Sequence, residues 1–394
     1  MDKFDLIVCG AGVAGFCAAI AAARRGASVA LVERQTTPGG ILTYYGNCSI
    51  DEFNNPFRQD KKMVIAGIGW EYALRLWRAG YARIPDMNAE YVKHFQYGVR
   101  VNPAAAAKFM DDMLLEAGVH LFYGQPMVEA LTEGRRITGI RIATRSGLQT
   151  LAADMFIDCT GDGELAACAG AWTVTGDGEG ALQPGTLRYF PAVEPGEDRV
   201  LNFGDNRNHV PIDPTDSDAV TRAEIAARRM IFERMETGEE RIMAIAPAVA
   251  PREGRRIRGE SCMQVADYES GRQFADSICY TYWFVDVHRE GQEALIRYIR
   301  HENTPSVRLS AMISADIENM MMAGRCISSD RETNSAIRVK SSCMAMGEAA
   351  GAAAAMALRK KTDVRALDIA ELKADLQAGG AIVPGLEAGR EFSL

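Results

Sequence analysis

The 394-residue sequence has few features that would direct it to a membrane, a nucleic acid or a metal. It contains no run of 18 consecutive apolar residues, so we expect no membrane-spanning helix. Its net charge of −8 gives no electrostatic attraction to nucleic acid or to anionic lipid. Its 5 histidines and 9 cysteines form no HExxH motif and no CxxC pair, so no metal site of the protein is indicated.

The cysteines are scattered, and several lie within apolar patterns typical of strands or helices. This distribution favours reduced, buried thiols, and we therefore expect a cytoplasmic protein. Hydrophobic residues make up 47% of the chain and charged residues 24%, which is an ordinary globular composition. The length allows two domains.

The residues from Asp5 to Glu33 contain a complete βαβ dinucleotide-binding motif. An apolar strand leads into a turn with Gly10, Gly12 and Gly15, and an alanine-rich helix, a second strand and the acid Glu33 follow. Gly10 allows the tight turn, Gly12 lets the backbone approach a pyrophosphate, and Gly15 lets the helix pack closely on the sheet. Glu33 would accept hydrogen bonds from a ribose and repel a 2′-phosphate. The motif predicts an ADP-containing cofactor other than NADP, and by itself it leaves NAD and FAD open.

Two later segments make the cofactor more specific. Ala153–Gly163 reads ADMFIDCTGDG, and Asn319–Ala355 begins NMMMAGRC and continues with RVKSSCMAMGEAAGAAAA. Together with the glycine turn, Glu33 and Gly39-Gly40, they resemble the FAD-dependent oxidoreductases of the glutathione-reductase-like superfamily. The resemblance is to the family related to fumarate-reductase flavoproteins and to the flavoprotein subunit of heterodisulfide reductase, and it covers roughly residues 4–170 and 250–358.

This resemblance implies FAD as the cofactor and assigns its contacts by position. The implied pyrophosphate contacts are Gly10, Gly12, Ala14 and Gly15, and the ribose contacts are Glu33 and Arg34. Further contacts along the cofactor are Gly40, Ile41, Thr43, Val128 (by its backbone, to adenine), Thr160, Gly161, Asp162, Gly324 and Arg325. The helix that begins near Ser342, Cys343 and Met344 would direct its positive end to the flavin pyrimidine.

Some of these positions have structural alternatives. Asp162 can be a turn residue or the N-cap of a following helix. The alanine- and glycine-rich residues after Met346 fit a tightly packed core helix.

Two features of related enzymes are missing from the sequence. Leu42 stands where disulfide reductases of this superfamily carry a first cysteine, and only Cys48 lies near the second, so a redox-active dithiol is not expected. Cys48 is then either a small buried residue or a lone thiol near the flavin. A second βαβ motif is also missing, which indicates that electrons come from a substrate or a partner protein rather than from an NAD(P)H domain.

Candidate catalytic residues lie in two later segments. The run PREGRRIRGE contains Arg252 and Arg256, which the resemblance places near the flavin, where they would hold a carboxylate or polarise a carbonyl. The alternative is a solvated strand in which Glu253 and Glu260 pair with the arginines. His288 ends an aromatic strand and is our candidate acid/base, although a structural role also fits a histidine in that position.

The expected fold is α/β, with a Rossmann-like FAD-binding domain (a parallel sheet with helices and a small β-meander) and an α+β substrate/cap domain. We assign the FAD-binding domain to 1–60, 96–170 and 306–360, a helical insertion to 61–95, the substrate/cap domain to 171–305 and a C-terminal tail to 361–394. Within the cap we expect a short helix over Glu290–His301.

The expected activity is hydride transfer between flavin N5 and a small polar organic substrate. A flavin monooxygenase and an electron-carrier subunit of a larger complex are the alternatives. The sequence is compatible with an electron-transfer partner and with a homo-oligomer.

Overall fold

The computed structural model describes residues 2–58, 60, 62–87, 89–90, 96–178, 182–191, 209–238, 242–299 and 302–392, and over these ranges the fold is α/β. The strands are β1 Asp2–Cys9, β2 Val29–Glu33, β3 Ser49–Ile50, β4 Ala82–Arg83, β5 Val99–Val101, β6 His120–Tyr123, β7 Met127–Glu133, β8 Arg136–Thr144, β9 Gly147–Asp158, β10 Thr173–Val174, β11 Gly185–Thr186, β12 Tyr189–Pro191, β13 His209–Val210, β14 Ile242–Ile245, β15 Arg256–Ile257, β16 Ser277–Tyr280, β17 Val285–Arg289, β18 Gln292–Arg297, β19 Ser306–Arg308 and β20 Met320–Met322. The helices are α1 Val13–Ala23, α2 Ile68–Arg78, α3 Pro103–Glu116, α4 Glu164–Cys168, α5 Ser217–Glu236, α6 Val265–Ser270, α7 Arg331–Ile337, α8 Lys340–Lys360 and α9 Ile369–Ala378.

The central sheet is parallel over five neighbouring strands, in the order β6-β2-β1-β9-β20. Short apolar runs such as Leu6–Cys9, buried on both faces, are typical of such strands. The first half of β9 pairs antiparallel with β8, and β8 pairs with β7, which gives the β-meander. The predicted fold class is therefore confirmed. Because the parallel strands share one direction, their carboxyl ends meet along one edge of the sheet.

Helices α1 and α8 lie against each other, with almost every residue of both buried. A Cβ added to Gly347 would lie 2.0 Å from the carbonyl oxygen of Ala14, and one added to Gly351 would lie 2.1 Å from that of Ala18. Only glycine therefore fits at these two positions. The core-helix interpretation of the residues after Met346 is confirmed.

The described residues between β10 and β18 include strands of short two-stranded sheets, the amphipathic helix α5 and the short helix α6. A second hydrophobic core, separate from the main one, joins α5 to the neighbouring strands. Its buried members are Leu187, Tyr189, Val210, Ile212, Ala223, Ala227, Ile231, Ala246 and Val249.

The prediction of a helix over Glu290–His301 is wrong for the described residues of this range. Val285–Arg289 and Gln292–Arg297 form a hairpin, with Gly291 at φ +64° in its turn. Glycine adopts such a positive φ easily, and this conformation does not continue a helix. Gly291 therefore favours a hairpin turn, although the residues that follow it have helix propensity.

None of the helices in the described ranges is long and apolar enough to cross a membrane. No three His, Cys, Asp or Glu side chains in these ranges come close enough together to hold a metal ion.

Candidate functional site

A cavity of about 240 Å³ lies where β1, β9 and β20 reach the carboxyl edge of the sheet. Segments far apart in the chain meet here, because the loop after each strand starts from the same edge. The lining residues are Gly10, Gly12, Val13, Ala14, Glu33, Arg34, Gln35, Gly40, Ile41, Tyr45, Asn47, Asp51, Cys159, Thr160, Gly161, Asp162, Thr186, Arg188, Ala250, Pro251, Arg252, Trp283, Asp286, His288, Ala323, Gly324, Arg325, Ser335, Arg338, Val339, Lys340 and Cys343.

The glycine turn between β1 and α1 forms one part of the cavity wall. Gly10 has φ +95°, and a Cβ there would lie 2.5 Å from the carbonyl oxygen of Cys159. A Cβ on Gly15 would lie 1.8 Å from the carbonyl oxygen of Gly10. Gly12 differs, because its φ of −61° is ordinary and an added Cβ would meet no described protein atom within 4 Å. Gly10 and Gly15 are thus required by packing, whereas Gly12 leaves the cavity open beside the N-terminus of α1.

Glu33, at the end of β2, connects this turn to the next loop. Its Oε2 accepts a hydrogen bond from the Ala11 N–H at 2.7 Å, and its Oε1 accepts one from the Gln35 N–H at 2.8 Å. The side chain is buried, and this burial raises the pKa of the carboxyl group despite those hydrogen bonds. Glu33 lines the cavity while it stabilises the turn.

Asp162 lies between two arginines in the loop after β9. Arg325 Nη2 is 2.5 Å from Asp162 Oδ1, and Arg34 Nη2 is 3.5 Å from Asp162 Oδ2. Arg34 also pairs with Glu164, and burial raises the pKa of Glu164 to about 6. Asp162 is therefore more than a turn residue, because it joins loops from three parts of the chain.

A second group of arginines forms another part of the wall. Arg188, Arg252 and Arg338, which we call the arginine group, line the cavity together with Asp286. Arg338 Nη2 is 3.6 Å from Asp286 Oδ2. Burial, and next to it the charge of Arg338, lower the pKa of Arg252 to about 9. Arg252 and Arg338 alone therefore carry more positive charge than Asp286 balances.

His288 lies beside Asp286 on β17, two residues further along the same strand face. His288 Nε2 is 3.1 Å from Asp286 Oδ1, and the two imidazole rings of His288 and His209 meet edge to face at 5.5 Å between centroids. Burial opposes the charge of Asp286, but the hydrogen bond from His288 and the charge of Arg338 hold its pKa below the usual range. Ser335 Oγ accepts a hydrogen bond from the Asp286 N–H at 2.9 Å, and this bond holds the strand in place beside the cavity.

Fourteen of the residues predicted for the site line the cavity. They are Gly10, Gly12, Ala14, Glu33, Arg34, Gly40, Ile41, Thr160, Gly161, Asp162, Gly324, Arg325, Arg252 and His288.

The remaining predicted residues lie outside the cavity lining. Gly15 packs against Gly10, and Thr43 donates its hydroxyl to the Pro38 carbonyl. Val128 has a side chain that is 47% exposed on β7. Ser342 accepts a hydrogen bond from the Thr281 hydroxyl at 2.7 Å, and Met344 lies against Gly69 of α2.

Arg256 also lies outside the cavity lining, so the structure does not bring it together with Arg252 in the cavity. The pairing of β15 with β10 directs the Arg256 guanidinium to the carbonyl oxygens of Ser329 (3.1 Å) and Gly176 (2.7 Å). Glu253 pairs with Arg331 at 2.7 Å and Glu260 pairs with Arg365 at 2.6 Å, so neither acid neutralises an arginine of its own run. Cys48 is a buried residue outside the lining, and burial raises its pKa to about 11.

The structure adds lining residues to those that the sequence predicted, and at the start of α8 it confirms only the position of Cys343. Helix α8 begins at Lys340 rather than near Ser342, and Val339, Lys340 and Cys343 are its cavity residues. Lys340 Nζ lies 2.9 Å from Asp51 Oδ2, and the Lys340 N–H donates to the same oxygen at 2.7 Å. Arg188 and Thr186 belong to no local motif, and Arg338 begins the RVKSSC segment without being among the contacts predicted from it.

The glycine turn between β1 and α1 shows whether an ADP-containing cofactor fits the cavity. A Cβ on Gly12 would extend into space that no described protein atom occupies. Helix α1 begins at the next residue, and the N–H groups of its first turn have no partner within the helix. Glu33 lies at the end of β2, where the ribose hydroxyls of such a cofactor are bound. The residues present fit a dinucleotide, and the fold and site together define a dinucleotide-binding protein of the Rossmann-like class.

The family is shown by comparison with known sequences. The model of the FAD dependent oxidoreductase family matches residues 5–213 and 188–376, which together span most of the chain. The chain belongs to this family, and it is an oxidoreductase enzyme that uses FAD.

Other comparisons are more distant. No curated protein matches the sequence. Among solved structures, a geranylgeranyl bacteriochlorophyll reductase-like protein from Thermoplasma acidophilum is 13% identical, with a TM-score of 0.44, covering 96% of this chain and 83% of that one. The myxobacterial chondrochloren halogenase is 15% identical, with a TM-score of 0.45, covering 96% and 79%. The anhydrotetracycline hydroxylase of Streptomyces rimosus is 12% identical, with a TM-score of 0.43, covering 96% and 69%. At such values none of them indicates a substrate for this chain.

Proposed function

We propose that this enzyme transfers a hydride between FAD and a small polar organic substrate. The observation that carries the proposal is that one cavity contains both the glycine turn and the Arg252–Asp286–His288 cluster. A cofactor site and a group of polar side chains suited to a substrate therefore share one space. FAD, when bound, supplies the two-electron redox chemistry of the reaction.

The residues proposed to hold FAD follow the cavity wall. Backbone N–H groups at Gly12 and Ala14 bind the pyrophosphate, and Glu33 accepts from the adenosine ribose. Arg34, Gly40, Ile41, Thr160, Gly161, Asp162, Gly324 and Arg325 complete the proposed FAD contacts. The pairing of Asp162 with both Arg34 and Arg325 supports this assignment, because it keeps the two loops at a fixed separation.

Arg252 and His288 are proposed to act on the substrate. Arg252 binds and orients a polar group of the substrate through its guanidinium. With Nε2 donating to Asp286, His288 carries its lone pair on Nδ1, where it accepts the proton that leaves a substrate hydroxyl or amine. In the reverse direction the same Nδ1 returns the proton. Asp286 stabilises the imidazolium in both cases.

The domain assignment is also a proposal. The FAD-binding unit comprises 1–60, 96–170 and 306–360, with 61–95 as an insertion, 171–305 as the cap and 361–394 as the tail. The second hydrophobic core within the proposed cap supports a separate unit there.

Two measurements test the proposal. Purified protein is expected to carry or take up FAD, seen as flavin absorbance near ~450 nm. Hydroxy acids, polyols and amines are then added anaerobically to the oxidised protein, and enoates are added to the protein after chemical reduction of its flavin. At least one of these compounds should change the flavin absorbance by electron transfer. Absence of flavin uptake contradicts the cofactor site, and flavin uptake without transfer to any compound class contradicts the reaction.

The same protein distinguishes the alternatives. A monooxygenase incorporates an atom from labelled oxygen gas into its product, whereas the proposed enzyme does not. An electron carrier exchanges electrons with a partner protein and turns over no metabolite by itself.

A further inference from the structure

The cations around the cavity are not equally balanced. Among the lining side chains, Lys340 pairs with Asp51, and Arg34 and Arg325 share Asp162. Glu33 is bound by backbone N–H groups. Asp286 is the remaining carboxylate among the described lining residues, and the lining there also contains Arg252 and Arg338. Even with Arg188 set aside, two guanidinium groups meet one carboxylate, and a bound anion would balance the excess charge.

Two donors on residues that line the cavity have no hydrogen-bond partner among the described residues. One is Arg338 Nε, which is buried, and the other is the hydroxyl of Thr186, a residue that is 2% exposed. Buried polar atoms are nearly always satisfied in folded proteins, and an unsatisfied one on a residue that lines a cavity is explained by a ligand or water that completes its hydrogen bonds. Arg338 and Thr186 come from different parts of the fold, so a ligand that satisfies both would connect the cap to the α7–α8 turn.

We propose that the arginine group and Thr186 form a binding site for a carboxylate group of the substrate. The inference rests on the proposed function, since it names the substrate class of the same cavity. Arg338 and Arg252 bind the carboxylate oxygens through their guanidinium groups, and Thr186 donates its hydroxyl. Arg338 is thus a substrate-binding residue, in the role that the sequence suggested for Arg256.

A carboxylate fits this site better than a phosphate. Phosphate sites are commonly built from backbone N–H groups of glycine turns and helix N-termini, and here those features lie at Gly10–Gly12. In the arginine group the donors are side chains of strands and turns. The nearby N-terminus of α8 has its first N–H already bound by Asp51.

The test uses FAD-loaded protein and small probe ligands. Acetate, pyruvate and succinate are titrated against the flavin absorbance spectrum, with acetamide as the neutral counterpart of acetate and with inorganic phosphate as a second anion. At least one carboxylate should perturb the spectrum at a concentration where acetamide and phosphate do not. If acetamide or phosphate binds as tightly as the carboxylates, or if no carboxylate binds, the inference is overturned.

Variants assign the binding to named residues. R338Q and R252Q should each weaken carboxylate binding by about tenfold or more, the usual size for a charge-assisted hydrogen bond. T186V, which retains both arginines, should weaken it by a smaller factor, and it keeps the test decisive if an arginine variant does not fold. R258Q is the matched control, because Arg258 pairs with Asp316 at the surface. Unchanged affinity in the folded arginine and Thr186 variants would overturn the inference.

The outcomes separate this inference from the proposed function. Protein that binds no FAD contradicts the proposed function. Protein that binds FAD and exchanges electrons with a neutral substrate, but does not respond to carboxylates, contradicts only the carboxylate site.

Discussion

Glu348 gives a prediction about stability with a definite pH range. It lies in the middle of α8 and is 2% exposed, and its Oε2 accepts the Ile68 N–H at 2.9 Å. Ile68 begins α2, so the carboxylate caps that helix from another part of the chain. Burial outweighs this hydrogen bond and the more distant charges of Arg25 and Arg24, and it raises the pKa of Glu348 to about 7.

The sign of the effect follows from that raised pKa. The unfolded chain has the ordinary value of 4.5, so the folded state binds the proton more tightly. The stability from this group is fully present below pH 4.5 and is lost as the pH rises through about 7. The difference between the two pKa values corresponds to about 3 kcal/mol of unfolding free energy.

The assay compares wild type with E348Q by urea unfolding at pH 5 and pH 8, with the same FAD concentration throughout. The amide that replaces the carboxyl group in E348Q cannot ionise, so the stability of this variant relative to wild type should rise by about 2–3 kcal/mol over this range. E236Q, which changes an exposed acid at the end of α5, is the control and should show no such trend. A constant difference between E348Q and wild type at the two pH values would refute the reasoning.

Three other substitutions have expected outcomes. G347A would force a Cβ to within 2.0 Å of the Ala14 carbonyl oxygen and should lower the unfolding free energy by about 2 kcal/mol or more, whereas equal stability to wild type in urea would contradict the α1–α8 packing. D162N leaves the half-buried Arg325 without its charged partner and should cost about 2–4 kcal/mol in the same assay; a loss below about 0.5 kcal/mol would show that the pair contributes little. H288Q should reduce turnover about a hundredfold or more while FAD affinity stays unchanged, and near-normal turnover would remove His288 from proton transfer.

Local patterns predicted many of the residues that line the cavity beside the glycine turn. The strands that end at Cys9, Glu33, Asp158 and Met322 each carry a short apolar run followed by a turn, and this pattern needs no knowledge of distant contacts. Gly10 and Gly12 lie in the predicted turn and Gly15 lies in the first part of α1, and the structure separates their roles by what each added Cβ would meet.

The arginine group could not be predicted in the same way. Arg338 is 86 positions from Arg252 along the chain, and only the packing of α7 against β17 brings its turn beside Asp286. The resemblance places Arg256 near the flavin together with Arg252, but strand pairing turns its guanidinium to the carbonyls of Ser329 and Gly176. The hairpin at Gly291 was missed because one glycine outweighed the helix propensity of the residues after it.

The most direct test of the FAD site is a titration of the flavin-free protein with FAD, comparing wild type with G12A. Gly12 has an ordinary φ and no described protein atom near its added Cβ, so G12A should fold with unchanged stability in the absence of FAD. Its methyl group would occupy the space assigned to the pyrophosphate, and FAD should bind at least about tenfold more weakly than to wild type. Equal affinity of G12A and wild type for FAD would contradict the assignment of the pyrophosphate to this glycine turn.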